Sequence, residues 1–333
     1  MVRLQSQSGN NYEFDPATSL IGEDVWGKIY QGVCCNASES RDVRIYELET
    51  NSHLPEYLLR RLRVESHFCY SHPNIIPFID FIANIDDIDF IFNIDGLLEE
   101  DYRLYFIEDN CFGFTLSNFL RGQICTLNGN ESKSINELCF LFRHDRTTFA
   151  KKVIKEVLQG INYIHNLYMY LRYVNPERII ITDDGAIKLS IIDYFLYDVL
   201  NYSLSDLSTS GRQANLFSSF PVSYCSTEMI LMFDDSNIYY RSDIYSVGIL
   251  FFHLLTGHIP YKGHYMEIIS QHLNGKIPLC EIEDKQLRKI VKKATEKNPS
   301  KRYQSAYDFI HAIDKMDEDV VWYKKIWPFF SCL

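Results

Sequence analysis

The segment SDIYSVGILFFHLLTG, Ser242 to Gly257, is apolar nearly all the way round a helical wheel. A helix with no polar face is buried on every side, so this stretch demands a helical core around it. Gly257 supplies the stop. Other helical patterns surround it. TLSNFL opens a short helix, residues 149 to 166 carry Val153, Ile154, Val157, Leu158, Ile161 and Ile164 at helical spacing, and KQLRKIVKKATEK and QSAYDFIHAIDKM close the chain's helical part. QICTLNGNESKSINEL, by contrast, is polar and reads as a loop or insertion. RIIITDDGAIKLS reads as a hairpin turned by Asp184-Gly185, and residues 194 to 223 are rich in Ser and Tyr with no clear period.

Ahead of this region the period changes. From about residue 12 to 110, YEFDPATSLIG, WGKIYQGVC, RDVRIYELE, FIDFIANI and RLYFIED alternate or are rich in β-formers, each bounded by Gly, Asn or Asp. One helix interrupts them, opening near Ser52 and Pro55 and running through LPEYLLRRLRVESHF to His72-Pro73. Seven acidic residues between Asp86 and Asp101 predict a long solvated hairpin. The expected class is therefore α+β. A small β-rich lobe spans 1–110, a larger helical lobe 111–315 and an aromatic tail 316–333, in a length slightly beyond what one core supports.

Charge narrows the function. With 33 Lys+Arg against 44 Asp+Glu the net charge is −11, which gives nucleic acid no basic face to bind. MVRLQSQSGNNYEF lacks the apolar run of a signal peptide, and no stretch has the roughly 18 apolar residues of a membrane span. Nine cysteines without a CxxC pair read as reduced, mostly buried small hydrophobes rather than a zinc or disulfide framework. A cytoplasmic protein is the expectation. The tail DEDVVWYKKIWPFFSCL, too short to span a bilayer, is expected to pack on the helical lobe, with a peripheral membrane or partner contact as the alternative.

Four landmarks, in order, resemble the protein kinase superfamily, and bacterial Ser/Thr kinases in particular, over roughly residues 12 to 315. HPNIIPFIDF resembles the segment after the N-lobe helix, and LYFIEDNCFGFTLSNFL the interlobe hinge. SDIYSVGILFFHLLTGHIPY resembles the central C-lobe helix, with Asp243 where the family anchors its catalytic loop. KNPSKRYQSAYDFIHAI resembles the final helices, with Arg302 where the family pairs it with the glutamate ending the activation segment; here that is Glu228 in YCSTEM. The implied fold is bilobal and kinase-like.

The chemistry is not carried over with the frame. Phosphoryl transfer needs a glycine loop, a Lys held by a Glu, oxygen ligands for magnesium and an Asp that orients the attacking hydroxyl. The resemblance places the phosphate-gripping Lys at Tyr46, its Glu at Arg63, the catalytic Asp at Tyr173, the magnesium Asn at Arg178 and the magnesium Asp at Ile191, with Arg172 kept from the catalytic loop. Gly22 and Gly27 keep the outer loop glycines, but Asp24 replaces the middle one. Its charge beside a phosphate would cost on the order of a few kcal/mol. Asp193 reaches the metal position only if its strand slips by two residues. Lys28, next to Ile29, points away from the adenine side, and Glu65 lies roughly 200° round the helix from Arg63.

The nucleotide cleft carried over from the family would use Gly22, Gly27, Ile29, Glu108 and Asn110. Tyr46, Tyr173, Ile191 and Ile192 are expected to fill it, leaving no cofactor, ATP and magnesium included. The resemblance therefore implies a pseudokinase that acts as a scaffold or regulator through a protein partner, an active kinase being one such partner. The alternative is an atypical Ser/Thr kinase or nucleotide sensor with a rearranged ATP site.

Overall fold

A computed structural model describes residues 1–24, 27–36, 39–50, 56–66, 68, 70–83, 102–123, 133–196, 199, 222–231 and 236–317. The acidic hairpin at 86–101, most of the Ser/Tyr-rich segment and tail residues 318–333 lie outside the described residues. The chain divides into two compact units. Unit 1 comprises Met1–Cys111 and Ser190–Phe220, and unit 2 comprises Phe112–Leu189 and Pro221–Leu333. The described residues 190–196 and 199 thus belong to the unit that carries the β-rich sheet.

Unit 1 is built on an antiparallel sheet. Its strands are β1 (Val2–Gln5), β2 (Asn11–Phe14), β3 (Leu20–Asp24), β4 (Gly27–Asn36), β5 (Glu39–Thr50), β7 (Phe78–Ala83) and β8 (Tyr102–Asp109), while helix α1 (Glu56–Ser66) and the two-residue strand β6 (Ile75–Ile76), which is not part of this sheet, lie between β5 and β7. The sheet order is β1-β2-β4-β5-β8-β7, with β3 paired to β4. Alternation along β5 sorts its side chains. Val43 and Ile45 join Leu4, Tyr12, Phe14, Tyr30, Tyr105 and Ile107 in one core, so Arg44, Tyr46 and Leu48 occupy the opposite face. Ile29 pairs with Tyr46, and Tyr46 with Phe106, placing all three in one row across that second face.

Two features of this sheet have local causes. Gly27 has φ +139°, and a Cβ there would sit 2.1 Å from the Glu47 carbonyl oxygen. The close approach of β4 to β5 thus requires glycine whether or not a phosphate is ever nearby. The β1–β2 hairpin extends the strand region ten residues further toward the N-terminus than the pattern in the sequence predicts. Its anchor is Asp80 on β7, 3 % exposed, which accepts from Tyr12 Oη at 2.9 Å, Ser8 Oγ at 2.7 Å and Asn10 Nδ2 at 3.2 Å.

Unit 2 holds the short strands β9 (Gly113–Thr115), β10 (Ile179–Thr182) and β11 (Ile187–Ser190), with β10 antiparallel to both others. Its helices are α2 (Leu116–Leu120), α3 (Lys133–His144), α4 (Arg146–Asn166), α5 (Thr227–Ile230), α6 (Ser236–Thr256), α7 (Tyr265–Asn274), α8 (Lys285–Ala294) and α9 over 306–317. Thr115 and Asp145 cap α2 and α4 through their side chains. Gly185 makes the β10–β11 turn at φ +83°, and Gly257 ends α6 at φ +87°. α6 is the buried helix its composition demands, with Ile244, Val247, Ile249, Leu250, Phe251 and Phe252 all at 0 % exposure. One local expectation is overturned: residues from Lys133 onward, read as loop, form α3, because Ile135 and Leu138 bury one face under an otherwise polar first turn.

Candidate functional site

The row on the second face of the unit 1 sheet contains the position where the resemblance expects a phosphate-gripping lysine. Tyr46 is 5 % exposed and donates its phenolic hydrogen to Glu108 Oε1 at 2.7 Å. Ser190 Oγ donates to the other carboxylate oxygen, Oε2, at 2.7 Å, and Glu108 itself is 1 % exposed. A buried carboxylate is thereby held from both sides by neutral hydroxyls. The family resemblance assigns Glu108 to the lining of a nucleotide cleft. Its side chain instead serves this internal network, because its register partner on β5 is Arg44, two residues along the same face from Tyr46.

Residues 191–196 lie within unit 1. β11 pairs in regular register with β10 through Leu189, and Ile191 follows at 0 % exposure. Residues 192–196 form a helical turn in which Ile192 is fully buried and Asp193 is 3 % exposed. Phe195 stacks on Phe78 with ring centres 4.0 Å apart. Tyr194 Oη donates to Glu65 Oε1 at 3.2 Å and accepts from Arg61 Nη2 at 3.0 Å, while Arg61 Nε donates to the same Glu65 oxygen at 2.9 Å. Glu65 on α1 is therefore engaged by its own helix and by Tyr194. Arg63, one position past the buried Leu62, is half-buried on the same helix.

Of the carried-over cleft positions, Gly22 lies opposite Ile29 in the β3–β4 ladder, and a Cβ at Gly22 would make ordinary contact with Ile29 at 3.6 Å. The Asn110 backbone N–H donates to the Asp42 carbonyl at 3.4 Å. Lys28 pairs across the strands with Glu47, on the face opposite Tyr46.

Unit 2 holds the remaining positions. Arg172 has φ +65° and is 5 % exposed, its guanidinium lying over the rings of Tyr170 at 4.7 Å and Tyr239 at 5.0 Å. Tyr173 and Arg178 are 4 % and 6 % exposed. Asn175 accepts from the Glu177 N–H at 2.8 Å and so caps the 3-10 turn Pro176–Arg178. Asp243 Oδ2 accepts from the Leu171 N–H at 3.0 Å and contacts His165 Nε2 at 2.9 Å. Glu228 receives both arms of Arg302, at 2.5 and 2.8 Å, along with Ser242 Oγ at 2.7 Å. Burial alone would raise the Glu228 pKa, but the Arg302 hydrogen bonds and charge override it and hold the carboxyl below its ordinary value. Arg302 also donates to the carbonyls of Arg241 and Glu296, both at 2.7 Å.

A protein kinase domain family model matches residues 17–317. The chain belongs to the protein kinase superfamily. Among curated kinases it is similar to the serine/threonine-protein kinase PknL of Mycobacterium tuberculosis, 33 % identical over 159 residues that cover 46 % of this chain and 37 % of that one. It is 26 % identical to the probable serine/threonine-protein kinase PknB of Lactococcus lactis over 297 residues, 85 % of this chain and 39 % of the relative. The serine/threonine-protein kinase PrkC of Bacillus subtilis is 26 % identical over 275 residues, 80 % of this chain and 35 % of PrkC. The match therefore spans less than two fifths of each of these relatives.

The resemblance implies magnesium and ATP, and two positions it assigns to them carry other chemistry. Tyr46, where the resemblance expects the lysine, donates to a carboxylate, and Ile191, where it expects the metal aspartate, is fully buried. Among the described residues no three His, Cys, Asp or Glu side chains gather where they could hold a metal ion. Three participants were missed in the sequence. Ser190 and Tyr194 flank the Ile191–Asp193 triplet, and Arg44 precedes Tyr46 by two in VRIY, a period-2 spacing that assigns both to one face.

Proposed function

We propose that this kinase domain works without phosphoryl transfer, as a scaffold or regulator that binds another protein. The observation that carries the reading is the Tyr46–Glu108–Ser190 network, which includes the position where the resemblance expects a lysine. A phenol cannot neutralise triphosphate charge, and a carboxylate behind it adds repulsion. The intact frame around Glu228, Arg302 and Asp243 supports a folded domain kept for its surfaces. An active kinase is the first partner to test. Cys34, Cys35, Cys225 and Cys280 are free thiols, which fits a reducing, cytoplasmic setting, and no described helix is long and apolar enough to cross a membrane.

The test is a thermal-shift titration of the full chain with ATP, ADP and AMP, each with and without magnesium, together with a phosphoryl-transfer assay. A ligand at 100 times its dissociation constant would stabilise the fold by roughly 2.7 kcal/mol, a readily measured shift. The expected result is no magnesium-dependent shift and no transfer. Transfer from ATP sinks the proposal; a magnesium-dependent shift points to a metal site, with Asp193→Ala as the next variant, and a magnesium-independent one points to the arginines and moves the reading to a nucleotide sensor.

A further inference from the structure

Arg44 stands in the second-face row next to Tyr46, between Gln31 on β4 and Glu108 on β8. It is half-buried, and its Nη2 donates to the Cys111 carbonyl oxygen at 3.1 Å. The adjoining backbone is also spoken for inside unit 1. Asp109 N–H donates to the Pro77 carbonyl at 2.9 Å, and Asn110 N–H to the Asp42 carbonyl at 3.4 Å. The exit of β8, where the family resemblance assigns Glu108 and Asn110 to a nucleotide, thus has these backbone groups satisfied by the chain itself.

A purine base is a flat heterocycle carrying an amine donor beside an acceptor nitrogen. To be held at a strand exit it needs a carbonyl and an N–H that are not already engaged. A guanidinium is equally flat and carries its donors in its plane. We infer that Arg44 is a built-in occupant of this domain's purine seat, its guanidinium taking the Cys111 carbonyl in place of a base. The inference rests on the non-catalytic reading and deepens it, because exclusion then comes from a single side chain as well as from the missing lysine. It also names the ligand class of the emptied seat. That class is a free purine base or a guanidinium ion, and not a triphosphate, since Tyr46 offers no cation.

The experiment compares the full wild-type chain with Arg44→Ala, using adenine and millimolar guanidinium as probes, read by thermal shift and calorimetry. Adenine is expected to leave the wild type unmoved and to raise the melting temperature of the variant by roughly 4 °C or more near saturation. Guanidinium should give a smaller rise in the variant and reduce the adenine effect by competition. Equal stabilisation of both proteins by adenine, or of neither, overturns the role given to Arg44. Either of those results leaves the non-catalytic reading standing, because only phosphoryl transfer by the wild type removes that. If Arg44→Ala does not fold, Arg44→Val keeps a strand-forming residue of reduced volume, and the same comparison decides.

Discussion

Both units bury carboxylates, but they satisfy them with different chemistry. In unit 2, Glu228 meets the Arg302 guanidinium in a pair whose side chains are 1 % and 0 % exposed. In unit 1 the shortest contacts come from neutral donors, chiefly phenols, although Arg103 also lies 3.6 Å from Glu47. Tyr46 serves Glu108, Tyr12 serves Asp80, and Tyr30 and Tyr105 donate to Glu47 at 3.0 and 3.2 Å. A guanidinium brings a second charge that must also lose its water, and the pair holds only when every donor finds an acceptor. Arg302 meets that condition by reaching backbone carbonyls as well. A phenol brings an apolar ring and one donor, so it fills space in a sheet interior and satisfies one oxygen with no further demand. The buried Glu228 is thus paired with a cation, whereas Glu108 and Asp80 are met by neutral donors.

The contrast can be broken most directly at Arg302. Arg302→Ala leaves Glu228 buried without its countercharge and is expected to cost about 3–5 kcal/mol. Denaturant unfolding measures this, and a loss below about 1 kcal/mol would place both units in the same energetic class.

Acid should act next most strongly, and through unit 2. Burial, aided by the nearby Lys297 charge, holds His272 down to about 3, and burial holds His253 down to about 4. The folded state therefore binds fewer protons than the unfolded state below the ordinary histidine pKa, and stability falls as pH drops from about 6.5 toward these values. Between pH 6.5 and 5, His272 alone should account for roughly 2 kcal/mol. His272→Leu should flatten the pH profile, and an unchanged slope would remove this histidine from the account.

Removing a neutral donor should cost less. Tyr46→Phe keeps the ring and deprives Glu108 of one of its two hydroxyls, with an expected loss of about 1–2 kcal/mol. A loss equal to that of Arg302→Ala would erase the distinction between the two kinds of pairing. Arg61→Ala should be smallest, below about 1 kcal/mol, because that side chain is 39 % exposed. Its clearer signature is faster amide exchange at residues 192–196, whose Tyr194 hydroxyl it contacts.

Much of the frame was legible because its signals are strong and local. The run of apolar residues in α6, the spacing in α4 and the Asp184-Gly185 turn each determine their element without help from distant residues. The site was harder, since it depends on register. Glu108 lies in a strand whose residues alternate faces, and its inward direction follows only from the pairing of Ile107 with Ile45 and of Arg44 with Glu108. A shift of one residue would have sent it to the other face. α3 was missed because two buried residues carry it, and Tyr194 because its partners Arg61 and Glu65 lie some 130 residues away.

The β1–β2 hairpin sets a practical boundary for this domain. It lies ahead of the family match at residue 17, yet it contributes Leu4, Tyr12 and Phe14 to the core of the sheet. A chain trimmed to that match would bare the edge of β4 over Val33 and Cys34, where β2 now pairs. It would also strip Asp80 of three donors and open an apolar surface beside an unpaired strand, the combination that templates self-association. Sample behaviour, more than affinity or activity, is where the loss of sixteen residues would first be noticed: a trimmed protein should come off a sizing column as aggregate while the full chain does not.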